Sequence, residues 1–280
     1  LNTKPKGVLA ASRINNLDLI PLPSWDLISD PFSDTLLPGE KYGKGHPGAT
    51  LIASRGCPYN CSFCGNMLRT PVIWRSVSSV ELELQTLISK GIRDVRFEDD
   101  NFTLNPHLGR MCDMLRGLFI SYKCHTRSNL MNPTLARMLA HSGCIECCVG
   151  VESADDKVLK INHKGVTRKQ SAEAVKIIQD TGMIAKTYWM SGLPGETEES
   201  VEAAMAFMDE VKPDKWTISC FTPYPGCDVY KNPSKYGVRI IDTDWSHWWN
   251  FVDHYVYELK DASQEVLWDR YKRLYAYFKG

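Results

Sequence analysis

Three cysteines in one short segment have the residue type and the spacing to bind a metal centre. Cys57, Cys61 and Cys64 form a C-x3-C-x2-C pattern, and the apolar residues 49–53 before them are typical of a short buried strand. Three thiolates in one loop can ligate three irons of a four-iron cubane, and the fourth iron then has no protein ligand. An iron of that kind is open to a small molecule, so the pattern indicates a cluster that takes part in chemistry.

Zinc is the alternative metal for this triplet. Structural zinc usually takes four ligands, often as two C-x2-C pairs separated by a loop. The sequence has one triplet and no second pair with that spacing. The iron–sulfur interpretation is therefore favoured, and a non-catalytic iron–sulfur or zinc-binding module is the alternative from another functional class.

The other cysteines are interpreted as packing residues. Cys144, Cys147 and Cys148 resemble a second triplet, but they fall in a predicted strand. Alternate side chains of a strand point to opposite faces, so the side chains at 147 and 148 diverge. Buried free cysteines are common in protein cores, and the same role is expected for Cys112, Cys124, Cys220 and Cys227.

Composition excludes some classes of protein. The chain has 280 residues, with 33 basic and 33 acidic side chains, so it lacks the basic excess typical of DNA- and RNA-binding proteins. No apolar run approaches the roughly 20 residues that span a bilayer, and no signal peptide is visible. Ten cysteines, three of them in the triplet, favour a reducing cytoplasm. The first residue is Leu, which suggests a piece of a longer chain.

Short apolar runs alternate with longer helical segments between residues 49 and 226. Asn105 before Pro106 and Asn132 before Pro133 each indicate the start of a helix. Thr167 and Gln170 have the form of a capping box. Six strand–helix units predict a parallel sheet with right-handed crossovers, either an open doubly wound sheet or a partial barrel. The predicted strands cover residues 51–54, 94–98, 121–126, 144–151, 183–190 and 215–222, and the predicted helices cover 80–90, 105–119, 132–143, 167–182 and 198–212.

This topology brings scattered polar residues together. The carboxyl ends of parallel strands meet at one edge of a sheet, and chemistry occurs there in such folds. The cysteine triplet follows the first predicted strand, and residues 98–101, Arg127, Glu152 and residues 192–196 follow others. We therefore expect one site at this edge.

The chain resembles the radical S-adenosylmethionine (SAM) superfamily, and more narrowly its cobalamin-associated branch. The triplet with Phe63 before its last cysteine is highly specific, and the other motifs are strong as an ordered set. The resemblance implies a partial parallel βα barrel, a [4Fe-4S] cluster and SAM, whose reductive cleavage gives a 5'-deoxyadenosyl radical that takes a hydrogen atom from the substrate. The similar segments are L-D-L-I-P-L-P-S-W-D-L (17–27), S-R-G-C-P-Y-N-C-S-F-C (54–64), F-E-D-D-N-F (97–102), G-V-E-S (150–153), G-L-P-G-E-T (192–197), P-Y-P-G (223–226) and R-Y-K-R-L-Y-A-Y-F (270–278).

The resemblance also assigns roles to residues. Cys57, Cys61 and Cys64 would bind the cluster, and Glu152, followed by Ser153, would bond the SAM ribose. The alternative for Glu152 is an acid near the start of the next helix. The remaining candidates are Phe63 beside the adenine, Asp99, Asp100 and Asn101 in place of the Gly-Gly-Glu turn that receives the SAM amino group, Gly192 and Gly195 where backbone approaches the nucleoside, and Arg127 and Arg168 for the methionine carboxylate. The alternatives are a loop cap for Asp99 and Asp100, a simple turn for the glycines, and a structural ion pair for Arg127.

Three segments are predicted. Residues 1–48 would be a connector after a cobalamin-binding domain that lies elsewhere, 49–229 the radical SAM core, and 230–280 an extension. Trp245, Trp248 and Trp249 in the extension would either cap the barrel edge or form an aromatic wall for an apolar substrate or a docked cobalamin domain.

The resemblance implies cobalamin-linked methylation, rearrangement or cyclisation in natural-product, lipid or tetrapyrrole synthesis. The substrate would be a small molecule or a peptide, and the electron donor a flavodoxin- or ferredoxin-type protein. The alternative enzyme is a methylthiotransferase, which shares the core but normally adds an RNA-binding segment and a basic surface.

Overall fold

A computed structural model describes residues 14–27, 48–65, 71–251 and 254–280. Most of the predicted connector, residues 1–13 and 28–47, lies outside the described residues. Within its described part, two short 3-10 turns, Leu17–Leu19 and Trp25–Leu27, lie beside the first strand of the main sheet. Asp18 accepts a hydrogen bond from the Ser76 N–H (2.9 Å), which ties this segment to the start of the first helix.

Six parallel strands form one curled, half-barrel sheet. Their spatial order follows their order in the chain, and every neighbouring pair is parallel. The partial parallel βα barrel expected from the sequence is therefore confirmed. The strands of this sheet are β1 (Gly48–Leu51), β4 (Asp94–Phe97), β5 (Ser121–Thr126), β6 (Cys144–Glu152), β7 (Ile184–Ser191) and β8 (Lys215–Cys220), while β2 (Ser54–Arg55) and β3 (Ile73–Trp74) form a small antiparallel pair after β1.

Helices connect the strands and cover one face of the sheet. The buried core between the two layers is apolar, with Phe97, Tyr122 and Phe207 among its largest fully buried side chains. The helices are α1 (Val77–Ser89), α2 (Leu108–Gly117), α3 (Pro133–His141), α4 (Asp156–Ile161), α5 (Arg168–Gln179) and α6 (Glu198–Val211).

The predicted strands and helices all lie within three residues of the observed ends. The helix predicted to open at Pro106 begins at Leu108. The reason is local, because the Asn105 side chain accepts from the His107 N–H (2.8 Å) and the Asn105 carbonyl accepts from the Leu108 N–H (3.0 Å). These bonds hold residues 105–107 in a turn before the helix. The predicted capping box at Thr167 and Gln170 is present.

The C-terminal part adds a second, smaller core. It contains α7 (Asp228–Lys231), the antiparallel strands β9 (Val238–Ile240) and β10 (Tyr257–Leu259), and α8 (Gln264–Lys279). Arg270 of α8 bonds Glu198 at the start of α6 (2.8 Å), which fixes this part against the main domain. Among the residues that the structure describes, no helix combines the length and the apolar character that crossing a membrane requires.

Candidate functional site

The segment that carries the three cysteines leaves β1 and is fastened by two acidic residues that follow β4. The carboxylate of Asp99 accepts from the Ala53 N–H (3.0 Å) and from the Ser54 hydroxyl. Asp100 accepts from the Gly56 N–H (3.2 Å). Both acids therefore hold the start of the cysteine loop, residues 57–64, a role that differs from the predicted cap of the loop into the next helix. Asp99 is only 1 % exposed, and this burial raises its pKa to about 6.

The second half of the cysteine loop is also fixed by hydrogen bonds. The backbone N–H of Ser62 donates to the carbonyl of Asn162 (3.0 Å), and the Ser62 hydroxyl bonds the Asn162 side chain (3.1 Å). The Val229 N–H donates to the Ser62 carbonyl (3.1 Å). Asn162 is a fully buried residue that follows the unpredicted helix α4, and it is not among the predicted site residues. Contacts from three separate elements thus set the loop's conformation.

The three cysteines differ in exposure. Cys61 is buried, and Cys57 and Cys64 are half-buried. Burial raises the pKa of the Cys57 thiol. The Cys64 N–H donates to the Cys61 carbonyl (3.2 Å), which turns the chain between the last two cysteines.

Arg127, at the end of β5, contacts the cysteine loop directly. One guanidinium nitrogen, Nη1, donates to the Cys61 sulfur (3.4 Å), and the group lies 3.7 Å from the centre of the Tyr59 ring. Nη2 donates to the Lys164 carbonyl, and Nε donates to Asn129 (3.3 Å). The guanidinium is buried, and each of its three nitrogens donates a hydrogen bond. Its structural role is therefore to place positive charge beside a cysteine sulfur, and the predicted role toward the methionine carboxylate stays a prediction.

Glu152 lies at the end of β6 in an unusual conformation. Its φ angle is +66°, in the left-handed region that non-glycine residues rarely adopt, and the register of β6 with β7 shifts at this point. The Glu152 carboxylate accepts from the Lys164 Nζ (2.8 Å), and both side chains are largely buried. A strained backbone that aims a paired carboxylate beside the metal loop is typical of a binding site.

Lys164 is a residue that the sequence analysis missed. Its ammonium lies 5.8 Å from the centre of the Phe63 ring, and its backbone carbonyl accepts a hydrogen bond from Arg127 Nη2. Lys164 therefore links the cysteine loop, Arg127 and Glu152 into one cluster. No local sequence pattern marks Lys164, which lies between His163 and Gly165, two residues that the fold places at positive φ.

Gly150 leaves space for the Glu152–Lys164 pair. A Cβ at position 150 would lie 2.5 Å from the Glu152 Oε1 and 2.9 Å from the Lys164 Nζ. The ion pair therefore occupies the volume that any other residue would fill.

Asn101 and Ser153 are two further predicted site residues, and both are buried. Asn101 accepts from the Thr103 hydroxyl (2.9 Å), while its buried amide nitrogen has no hydrogen-bond partner in the described part of the protein. Such an orphaned donor is costly in a folded protein and is typical of a site that a ligand completes. Ser153 accepts from the Asp155 N–H (3.2 Å) and helps to start α4.

The Gly192-to-Thr197 loop follows β7, as predicted. Gly192 and Gly195 both have φ of +86°, so the turn itself requires glycine. A Cβ on Gly192 would lie 2.5 Å from Tyr255 and Tyr257, and one on Gly195 would lie 2.5 Å from Ile161. The close approach at these glycines is thus to protein side chains, and their predicted contact with a nucleoside stays a prediction.

Glu196 closes the same loop on itself. Its carboxylate accepts from the Gly192 N–H (2.8 Å), and burial raises its pKa to about 7. The hydrogen bond holds the turn that Gly192 begins.

Arg168 is a predicted site residue that lies away from this cluster. It starts α5, and its guanidinium bonds Glu210 of α6 (2.6 Å) and lies over the Phe207 ring. It therefore contacts the helical layer and not the cysteine loop.

The second cysteine group diverges as the strand geometry predicts. Cys144 and Cys147 face the helix-covered core, while Cys148 bonds Glu146 on the opposite face (3.7 Å). In the described part of the chain these three do not form a convergent metal-binding group.

The face of the sheet opposite the helices carries polar residues, of which only Glu98 was predicted. His125 lies 3.4 Å from the Tyr188 hydroxyl, and Arg96 pairs with Glu98 (2.6 Å). Burial, and then Arg96, lower the pKa of His125 to about 4, so its imidazole is neutral at neutral pH. The signal for this set is the alternation of polar with apolar residues in β4 and β5.

Comparison with known proteins identifies the family of the chain. The sequence model of the radical SAM superfamily matches residues 51–208, more than half of the chain. The chain belongs to the radical SAM superfamily. Members of this superfamily use a [4Fe-4S] cluster and SAM.

Individual relatives place the radical SAM chain beside methyltransferases. It is 38% identical over 227 residues to an uncharacterized methyltransferase from Pyrococcus horikoshii, covering 78% of this chain and 47% of that protein. It is 26% identical over 284 residues to bacteriochlorophyllide d C-12(1)-methyltransferase of Chlorobaculum tepidum, covering 97% and 58%. This radical SAM chain thus spans about half the length of the curated relatives it matches.

A solved structure shares the fold. The radical SAM methyltransferase TsrM from Kitasatospora setae, solved with cobalamin and a [4Fe-4S] cluster, superposes with a TM-score of 0.62 at 19% identity, covering 71% of this chain and 40% of that one. At this identity the likeness shows the fold alone.

The residues of the site fit a cluster better than a single zinc ion. Tetrahedral zinc with Zn–S bonds of about 2.3 Å needs sulfurs about 3.8 Å apart. Among the described residues, the group of three potential ligand atoms that converges within 4.8 Å is Asp242, His247 and His254, and the cysteine triplet does not form such a group. The wider spacing of the sulfurs, with Arg127 beside one of them, suits an anionic multi-iron cluster.

Proposed function

We propose that this chain is the catalytic part of a radical SAM enzyme that modifies an unactivated carbon of a small molecule, by methylation or by ring closure linked to cobalamin. The observation that carries the proposal is the meeting of the cysteine loop, Arg127 and the Glu152–Lys164 pair at the carboxyl edge of the sheet. Cys57, Cys61 and Cys64 would hold the cluster, which when bound and reduced supplies the electron for cleavage of SAM.

The chain's own residues would bind and orient SAM beside that cluster. Glu152 offers carboxylate oxygens to paired hydroxyl groups, and Lys164 holds it in place at 2.8 Å. The buried Asn101 amide, which lacks a partner among the described residues, is a donor for a polar group of the cofactor. Phe63 packs at the edge of the C-terminal core and offers an apolar face to the adenine.

Methylation is favoured by the names of the relatives. Besides the two methyltransferases already described, a hopanoid C-2 methylase from Rhodopseudomonas palustris is 27% identical over 258 residues. Since this chain spans about half of such proteins, a cobalamin-binding domain on another part of the protein or on a separate chain belongs to the proposal. A flavodoxin- or ferredoxin-type electron donor completes it.

The test is an anaerobic assay of reconstituted protein with dithionite and SAM, with and without added cobalamin. We expect 5'-deoxyadenosine and methionine in both cases, and S-adenosylhomocysteine only when cobalamin is present, because methyl donation from SAM leaves that product. Cys61→Ala should abolish all products, whereas Cys112→Ala, a buried cysteine of α2, should retain them. Products from Cys61→Ala, or none from the unaltered chain, would refute the proposal.

A further inference from the structure

A second group of metal-binding side chains lies in the C-terminal part, outside the cysteine site. Asp242 and His254 flank the β9–β10 pair, in which Ile240 lies opposite Tyr257. The backbone N–H of Asp242 donates to the Val256 carbonyl (3.1 Å), which brings the residues after β9 next to those before β10. Backbone pairing therefore fixes the separation of Asp242 and His254.

His247 reaches the same point from a 3-10 turn. The turn spans Trp245–His247 and is capped by Asp244, whose side chain accepts from the Ser246 N–H (2.9 Å). The Asp242 carboxylate accepts from the Asp244 N–H (2.8 Å) at one oxygen and contacts His247 Nδ1 (2.6 Å) at the other. Local hydrogen bonds thus aim His247 at Asp242.

The three side chains converge as metal ligands do. One ligand atom from each of Asp242, His247 and His254 lies within 4.8 Å of the others, and all three residues are half-buried. The two imidazole rings meet edge to face, with centroids 5.2 Å apart and an interplanar angle of 83°. Asp242, His247 and His254 thus bring three ligand atoms from separate positions in the chain to one point, which is the arrangement that a single bound ion requires.

The donor set selects the class of metal. Two imidazoles and one carboxylate suit Zn²⁺, Fe²⁺, Co²⁺ or Ni²⁺, while Ca²⁺ and Mg²⁺ prefer oxygen ligands alone. We propose that Asp242, His247 and His254 bind one divalent transition-metal ion, separate from the cysteine site, with zinc as the ordinary occupant. With three protein ligands the ion keeps a coordination position for water or for a group of a bound molecule.

The consequence of such an ion is the ordering of aromatic residues at the rim of the barrel. Trp245 and Trp249 in the same segment are 57 % and 58 % exposed. The carbonyl of Asn250 accepts from the Cys220 N–H (2.9 Å), so this segment lies at the carboxyl end of β8. Metal binding would therefore fix an aromatic surface beside the edge where the cysteine loop lies.

The experiment uses the full chain with Cys57, Cys61 and Cys64 all replaced by Ala, so that no metal binds at the cysteine site. The protein is titrated anaerobically with Co²⁺ at pH 7.5, and binding is followed by visible ligand-field absorption and by calorimetry. We expect one Co²⁺ per chain, displaced by Zn²⁺. A background protein that binds no Co²⁺ would overturn the proposal, and this result is independent of any radical SAM activity.

Variants identify the ligands. His247→Ala, His254→Ala and Asp242→Ala should each weaken Co²⁺ binding at least about tenfold. His141→Ala, which removes a histidine from the end of α3, is the matched control and should bind Co²⁺ unchanged. His254→Cys keeps a ligand at that position, so it should retain binding and add a sulfur-to-cobalt charge-transfer band. Unchanged affinity in His254→Ala, or no such band in His254→Cys, would refute the site.

Discussion

Replacing Asp99 should loosen the start of the cysteine loop by a measurable amount. The Asp99 carboxylate is almost fully buried and accepts two hydrogen bonds, from the Ala53 N–H and the Ser54 hydroxyl. Asp99→Ala removes both acceptors and leaves at least one buried donor unsatisfied. A buried unsatisfied donor costs about 1–3 kcal/mol, so the two donors together predict a loss of about 2–6 kcal/mol in the free energy of unfolding at pH 4, where the stability contributed by Asp99 is full.

The acidity of Asp99 adds a pH dependence. Burial raises its folded-state pKa from 3.8 to about 6, so between these values the folded protein binds more protons than the unfolded chain. The stability contributed by this group is therefore full below about pH 4 and falls as the pH rises through 6. Two pKa units correspond to about 3 kcal/mol. Asp99→Asn, which cannot titrate, should lack this component.

The assay is urea unfolding of the cluster-free, reduced protein, followed by circular dichroism at several pH values between 4 and 7.5. A loss of 3 kcal/mol corresponds to a midpoint shift of about 1 M urea. Iron content after anaerobic reconstitution is the second measurement, and it should fall in Asp99→Ala because the loop is no longer held.

Asp113→Ala is the control, since the Asp113 side chain is 72% exposed and forms a surface ion pair with Arg116. We expect it to match the unaltered protein. Equal midpoints and iron contents for Asp99→Ala and Asp113→Ala would refute the anchoring role. Parallel pH profiles for Asp99→Asn and the unaltered protein would refute the raised pKa.

Three further changes test other parts of the site. Glu152→Gln should weaken SAM binding about tenfold or more, because a charged hydrogen bond contributes about 1.5–3 kcal/mol. The colour of the cluster should persist in this variant. Equal SAM affinity of the variant and the unaltered protein in calorimetry would remove the cofactor-binding role of Glu152. Arg127→Gln should lower the cluster's reduction potential by about 40 mV, because it removes one N–H···S bond worth about 1 kcal/mol, and 59 mV corresponds to a tenfold change in the equilibrium constant. The potential is measured by redox titration followed by electron paramagnetic resonance, with Arg168→Gln as the control. Equal potentials in the two variants would contradict the role of Arg127 beside the sulfur. Gly192→Ala should lower the free energy of unfolding by about 2 kcal/mol more than Gly182→Ala does. Both glycines have positive φ, but only a Cβ at position 192 would lie 2.5 Å from neighbouring side chains. Equal unfolding midpoints of the two variants would show that this contact is relieved without cost.

Much of the fold follows from local sequence signals. The boundaries of β5 and the capping box at Thr167 are predicted to the residue, since strand alternation and capping chemistry act over a few residues. The same local reasoning misplaced the start of α2, where Asn105 makes turn bonds in competition with the helix.

The predicted meeting of the cysteine loop with residues after β4, β5 and β6 is confirmed in its geometry. It follows from the rule that the carboxyl ends of parallel strands share an edge. That rule places Asp100, Arg127 and Glu152 at one edge, but it says nothing about which atoms they contact.

The sequence by itself determined the metal-binding triplet, the parallel half-barrel and the edge at which polar residues gather, because these depend on spacing and on short-range periodicity. Only the tertiary structure decided what each side chain does there. Asp99 and Asp100 hold the loop, Arg127 lies on the Cys61 sulfur, and Lys164, far from the triplet in the chain, pairs with Glu152. Contacts at this site join residues 100 or more positions apart, and their distances are set by the packing of strands and helices that no local pattern encodes.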